Sequence, residues 1–266
     1  MLGAIAGDII GSVFERNPIK TKEFDLFCSD SHFTDDTVLS LAVANVILCK
    51  QPYPVVFRDF YQKYPNRGYG DGFSRWVISD DKNPYYSYGN GSAMRVNPVG
   101  WAYSSLSDVL NEAKQSAIVS HNHEEGIKGA QAVAAAIFLA RTGCKKNDIK
   151  QYLKETFKYN LDRKLDDIRP DYKFDVSCQG SVPESIIAFL ESENYEDAIR
   201  NAISLGGDSD TMACISGSIA EAYYGKINND IIAYIFDCLP VDLADITSQF
   251  IGKYCQYQVP DRRKIR

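Results

Sequence analysis

Apolar residues recur along most of this chain at the three-and-four spacing of amphipathic helices, and stretches of strict apolar–polar alternation are nearly absent. Residues 2–14 predict a buried helix through Leu2, Ala4, Ile5, Ala6, Ile9, Ile10, Val13 and Phe14. Gly3, Gly7 and Gly11 recur every four residues, so they fall along one side and allow a neighbour to approach closely. Residues 16–33, with Pro18 and several charges, read as a loop. A second helix is expected over 33–48, opened by Thr34 or Asp35, and a short third over 52–65 with Phe57, Phe60 and Tyr61 as anchors. Residues 66–92 read as loop. Further helices are expected at 106–119, from 127 to Arg141, at about 147–158, at 182–192 with Pro183 near its start, at 194–205 and at 229–238. The stretch 205–225, LGGDSDTMACISGSIAEAYYG, reads as a tight turn opening a helix. Its small residues (Ala213, Ser216, Gly217, Ala220, Ala222) suit a central position. The tail 257–266 is polar and expected to fray. Ten or so helices without a repeat predict one all-α domain over 1–266.

Two of these helices start on clusters of acids and hydroxyls: Thr34, Asp35 and Asp36 in one, Asp208, Asp210 and Thr211 in the other. Such residues ordinarily cap free N–H groups and favour the positive end of the helix dipole. They are equally hard oxygen ligands for a divalent cation. Asp8 and Glu15, seven residues apart in an apolar segment, lie nearly on one helical face. Two buried acids are expensive unless neutralised or paired, although a solvated helix end accounts for Glu15.

The segment 66–92 carries Gly68, Gly70, Gly72, Gly89 and Gly91 among Tyr69, Tyr85, Tyr86 and Tyr88. Asn90-Gly91-Ser92 leads into Ala93, Met94 and Arg95, a glycine turn entering a helix that can offer N–H groups to a phosphate. It matches neither a P-loop nor a dinucleotide fingerprint, and a plain surface loop fits the same residues. His121 and His123 are read as a cap or a ligand-facing histidine rather than a zinc pair, because no cysteine lies nearby.

Composition narrows the class. The 266 residues are 45% hydrophobic and 24% charged with net charge −6, which suits a globular chain and argues against general nucleic-acid binding. The seven cysteines form no CxxC pair, which suggests reduced thiols in the cytoplasm rather than a disulfide framework. The apolar start carries Asp8 early and lacks a basic stretch, so no secretory signal is expected. No run reaches the roughly 18 apolar residues of a membrane span.

Taken together, GAIAGDIIGSVFE (3–15), FTDDT (33–37), YGDGFSRW (69–76), GNGSAMRVNPVG (89–100), SHNHEEGIKGAQAVA (120–134), QGSVPESIIAFL (179–190) and the 205–225 stretch resemble, in order, the ADP-ribosylglycohydrolase family. The resemblance implies a compact orthogonal all-α bundle with two Mg²⁺ or Mn²⁺ ions in a central cleft. It implies metal ligands at Thr34, Asp35, Asp36, Asp208, Asp210 and Thr211. Gly89, Asn90, Gly91, Ser92, Met94 and Arg95 would hold the ADP-ribose diphosphate. His121 would sit by the ligand, and Tyr69, Gly70 and Gly72 would help line the cleft. Glu15 or Asp208 would position the attacking water or take its proton. The implied substrate is an ADP-ribosylated protein, small molecule or nucleic acid. Ser120 stands where the family usually has threonine, and Lys226 lacks the proline often found after the glycine. Four aspartates converging within ~5 Å would cost roughly 3 kcal/mol per pair at an effective dielectric of about 20, a cost that divalent cations remove. The alternatives are a non-catalytic ADP-ribose-binding module, a structural protein on the same fold, or a hydrolase of another ribosyl or nucleotide compound.

Overall fold

The computed structural model describes residues 1–255, and the tail expected to fray falls outside them. Among the described residues there is no strand, only one isolated antiparallel bridge between Gly89 and Ser177. The first half of the chain forms α1 (Leu2–Gly11), α2 (Asp35–Cys49), α3 (Tyr53–Lys63), α4 (Asp71–Ile78), α5 (Gly91–Met94), α6 (Asn97–Ala102) and α7 (Leu106–Ile118). The second half forms α8 (Glu124–Arg141), α9 (Lys146–Phe157), α10 (Leu165–Ile168), α11 (Cys178–Leu190), α12 (Tyr195–Ile203), α13 (Ser209–Tyr224), α14 (Asn229–Cys238) and α15 (Val241–Tyr254). The fold is all-α.

α13 is central. All of its residues except the last two are buried, and α1, α8, α11 and α12 pack around it. Its closest neighbour is α1. Gly3 meets Gly217, Gly7 meets Ala213 and Gly11 meets Asp210, so the two helices run antiparallel with their backbones touching. A methyl group on Gly11 would lie 2.6 Å from Asp210 Cα, and one on Gly7 would overlap the Ala213 carbonyl. This explains why an otherwise good apolar helix carries three glycines. The start of α1 is held by Glu221 of α13, which accepts from Leu2 N at 3.1 Å and Gly3 N at 2.9 Å.

The structure departs from the sequence pattern in several places. α1 stops at Gly11, so Glu15 sits in the following turn and shares no helical face with Asp8. The segment 66–92 holds α4, whose Phe73, Trp76 and Val77 are buried at helical spacing. α10 interrupts the irregular charged segment before α11. α11 starts at Cys178, capped by Ser177 Oγ, so Pro183 lies inside it. Finally, α15 follows α14; its buried Leu243, Thr247, Phe250 and Ile251 pack against α2.

Candidate functional site

The starts of α2 and α13 meet, although 175 residues separate them. Thr34 fills the cap position of α2, its Oγ1 accepting from Asp36 N at 3.2 Å. The carboxylates of Asp35 and Asp36 are therefore not needed as caps. Asp208 occupies the cap position of α13 but makes no capping bond; its Oδ2 instead accepts from Asn90 Nδ2 at 2.7 Å. Gly206, at φ +64°, supplies the left-handed turn that delivers the chain to this point. Asp210 Oδ1 accepts from Thr211 N at 3.0 Å. Thr211 Oγ1 donates to Asp36 Oδ2 at 3.1 Å and ties the two helix starts together. Asp36 Oδ1 is buried with no hydrogen-bond partner.

Asp8 joins this cluster from the middle of α1, where it is fully buried. Sequence reasoning marked it as costly but gave it no place in the site. Its carboxylate accepts from Thr34 N at 3.0 Å, Thr34 Oγ1 at 2.7 Å, Thr37 N at 3.0 Å and Thr37 Oγ1. Asp8 thus caps the first turn of α2 from another helix, the role a capping-box glutamate plays within one. One carboxylate oxygen each from Asp8, Asp36 and Asp210 lies within 4.8 Å of the others.

Burial and the neighbouring negative charge of Asp210 act in the same direction on this cluster. They push Asp8 up to about 7 despite its four donors, and hold Asp35, Asp36 and Asp208 well above the usual carboxylate range. Glu15, partly buried at the edge, is raised by the same two causes. Either protons or a cation must neutralise such a group. The donors are all carboxylate and hydroxyl oxygens, and an unpartnered oxygen of Asp36 sits among them. That set fits a hard divalent cation such as Mg²⁺ or Mn²⁺ and suits softer metals poorly.

The cluster forms one end of a cleft of about 260 Å³. Glu15, Asp35, Asp36, Asp208, Asp210 and Thr211 line that end. Gly70, Gly72, Gly89, Asn90, Gly91, Met94, Arg95 and His121, all singled out in the sequence, line the remainder. Tyr85, one of the tyrosines of the glycine-rich segment, lines it too, as do Ser87, Phe174 and Val176, which were not anticipated. The Gly89–Ser177 bridge brings Val176 to the glycine loop, with Asn90 N donating to Val176 O at 2.7 Å. No local sequence signal marks that pairing.

Three expected residues lie behind the wall. Thr34 turns its hydroxyl to Asp8. Tyr69 donates its hydroxyl to Tyr64 O at 2.9 Å and stacks on Phe73 at 5.7 Å. Ser92 Oγ donates to Gly126 O at 2.7 Å. Arg95 is fully buried: its Nη2 donates to Ser116 O and Ser120 Oγ, each at 2.8 Å, and its guanidinium lies over the Phe57 ring. His121 faces the glycine loop, with Nδ1 2.8 Å from Ser120 Oγ. His123 instead caps α8, its Nδ1 accepting from Glu125 N at 3.0 Å.

Fold and site together define an all-α protein whose glycine-lined cleft ends in a buried oxygen-donor cluster suited to a divalent cation. The sequence profile described as ADP-ribosylglycohydrolase matches residues 1–255. Among similar proteins, ADP-ribosylhydrolase ARH3 of Gallus gallus is 29% identical over 85% of this chain and 84% of its own length. The Homo sapiens ARH3 is 27% identical with the same coverages. ADP-ribosylarginine hydrolase Tri1 of Pseudomonas putida (strain GB-1) is 24% identical over 85% of this chain and 69% of its own. A solved structure titled ADP-ribosylglycohydrolase-related protein complex shares the fold, with TM-score 0.73 and 23% identity over 95% of this chain and 96% of that one. The chain belongs to the ADP-ribosylglycohydrolase family.

Proposed function

We propose that this chain is a metal-dependent ADP-ribosyl hydrolase that releases ADP-ribose from an N- or O-glycosidic linkage to a modified acceptor. The observation that carries this reading is the convergence of Asp8, Asp36 and Asp210, with one Asp36 oxygen unpartnered, at the end of a cleft floored by a glycine loop. Asp35, Asp36, Asp208, Asp210 and Thr211 would hold two divalent cations, Mg²⁺ or Mn²⁺, and Thr34 would join them only by turning its hydroxyl from Asp8. Bound there, such ions supply Lewis acidity, orienting ribose hydroxyls and acidifying a bound water.

The chain's own groups do the rest. The Gly89–Gly91 turn would seat the diphosphate with His121 beside it, its shape fixed by Gly89 N donating to Ser87 Oγ at 3.1 Å and Asn90 N donating to Val176 O at 2.7 Å. Glu15 is partly buried and raised above its ordinary range, so it is a competent proton acceptor at the open edge of the cluster. Water attacks the anomeric carbon, the bond from that carbon to the acceptor breaks, and Glu15 takes the water's proton and returns it to the departing acceptor, ending as it began. Asn90 keeps Asp208 turned toward the cluster. Residues 1–266 are read as one domain, acting in the cytoplasm.

The acceptor side is an ADP-ribosylated protein, small molecule or nucleic acid; similarity to the ADP-ribosylarginine hydrolase of Pseudomonas putida makes arginine-linked protein the first to try. The test is ADP-ribose release from arginine-linked protein, serine-linked protein, O-acetyl-ADP-ribose and modified nucleic acid, with Mg²⁺, Mn²⁺ or chelator. Release that chelator abolishes is expected from at least one substrate. No release from any of them, with metal bound, overturns the hydrolase reading.

A further inference from the structure

Arg95 stands in the sequence where a phosphate-binding arginine would be expected, yet its side chain is fully buried and commits its Nη2 to Ser116 O and Ser120 Oγ, while its Nε and Nη1 have no partner among the described residues. Ser120 Oγ, also buried, has two hydrogen-bond neighbours among the described residues: Arg95 Nη2 and His121 Nδ1, each at 2.8 Å. A guanidinium only donates, so the serine oxygen must present a lone pair to it. The single serine proton then has one acceptor within reach, Nδ1 of His121. A proton on Nδ1 would leave the buried serine proton unmatched, at the full desolvation penalty of an unmet donor. The ring proton therefore belongs on Nε2. That atom lies against the glycine loop: a Cβ on Gly91 would be 3.1 Å from it, and one on Gly89 3.6 Å. Among the described residues Nε2 has no hydrogen-bond partner. Burial, with the Arg95 charge next, keeps the imidazole neutral by holding its pKa well below the usual histidine value.

We propose that Arg95 and Ser120 are positioning residues that act through His121: they lock its imidazole in the Nε2–H tautomer, which presents one N–H donor to an anionic oxygen seated in the Gly89–Gly91 loop. Arg95 thus contributes to ligand recognition through His121. The conservative relative of Ser120 is threonine, which keeps the hydroxyl, whereas alanine removes the link and frees the ring to adopt either tautomer.

This proposal rests on the ADP-ribosyl reading for the identity of the anion, but the tautomer does not, and the experiment separates the two. The full chain is labelled with ¹⁵N-histidine, and long-range ¹H–¹⁵N spectra are recorded at neutral pH for the wild type, Ser120→Ala and Ser120→Thr. His121→Asn assigns the resonance. His123, whose Nδ1 accepts from Glu125 N, serves as an Nε2–H reference in every sample. ADP-ribose affinity is measured on the same proteins by calorimetry. The expected result is an Nε2–H tautomer in the wild type and in Ser120→Thr, a mixed or inverted tautomer in Ser120→Ala, and ADP-ribose binding roughly tenfold weaker in Ser120→Ala alone. An Nδ1–H tautomer in the wild type, or an unchanged one in Ser120→Ala, overturns the relay. A changed tautomer with unchanged ADP-ribose affinity overturns the donor role. If the wild type binds no ADP-ribose, the ADP-ribosyl reading fails, and the spectra still decide the relay.

Discussion

At the scale of single residues, the site separates groups that hold charge from groups that move a proton. Asp35 and Asp208 line the acidic end, and Glu15 stands at its edge, outside the hydrogen-bonded set formed by Asp8, Thr34, Asp36 and Thr211. Removing Asp35 or Asp208 should remove cation affinity, because an all-oxygen site loses a charged donor with nothing to replace it. Asp35→Ala and Asp208→Ala are expected to lose metal-dependent turnover while keeping a cooperative thermal transition, as read by Mn²⁺ titration beside an activity assay. Glu15→Gln should keep cation affinity and slow ADP-ribose release by roughly a hundredfold, a typical general-base contribution. An unchanged rate in Glu15→Gln would move the proton-accepting role to another group.

At the scale of elements, α1 is the spacer between the two acid clusters. Its glycine side lies on α13, and Asp8, about a quarter turn around the helix, grips the first turn of α2 while its carboxylate also approaches that of Asp210. The distance between the clusters is therefore set by backbone contact rather than by flexible side chains. Gly7→Ala would force α1 off the Ala213 carbonyl and is expected to destabilise the protein by about 1–3 kcal/mol, in the range for overpacking, with weakened cation binding as well. Gly252→Ala, in α15 with open space around it, should be neutral or stabilising by up to about 1 kcal/mol. Urea melts of the two variants provide the comparison. Equal effects would show that the helix contact does not set the cluster. The elements themselves were unevenly legible. α14 has the bounds its apolar spacing suggests, whereas α15, with the same period in Leu243, Thr247, Phe250 and Ile251, went unread because polar residues dilute its stripe. Pro183 marks a helix start by statistics, but Ser177 supplies an earlier side-chain cap and wins.

At the scale of the whole molecule, the acid cluster makes folding depend on what neutralises it. Carboxylates raised above their unfolded values keep protons that the unfolded chain releases. For Asp8 the protonated contribution is complete below the ordinary aspartate value of 3.8 and is lost as pH rises through about 7. The chelated protein should therefore lose stability across that window. A divalent cation at a hundred times its Kd should restore roughly 5–10 °C of melting temperature at pH 7.5, and less at pH 5 where protons compete. Scanning calorimetry with Mg²⁺, Mn²⁺ or chelator at both pH values checks this. A shift that is absent at pH 7.5, or larger at pH 5, would mean the cluster is neutralised in another way. No described helix is long and apolar enough to cross a membrane.

The sequence by itself determined the helical class, the two acid-bearing helix starts and the glycine periodicity of α1, because each is written within a few consecutive turns. It also carried the family resemblance, which depends on the order of short motifs. Only the tertiary structure decided that Asp8 belongs with Asp36 and Asp210, that Tyr69 and Ser92 turn their hydroxyls to backbone carbonyls, and that Arg95 faces Ser120. These are choices of direction between elements far apart in the chain. Spacing specifies which face of a helix is buried, but not which polar partner waits there; that is settled when the buried donors and acceptors are paired across the assembled core.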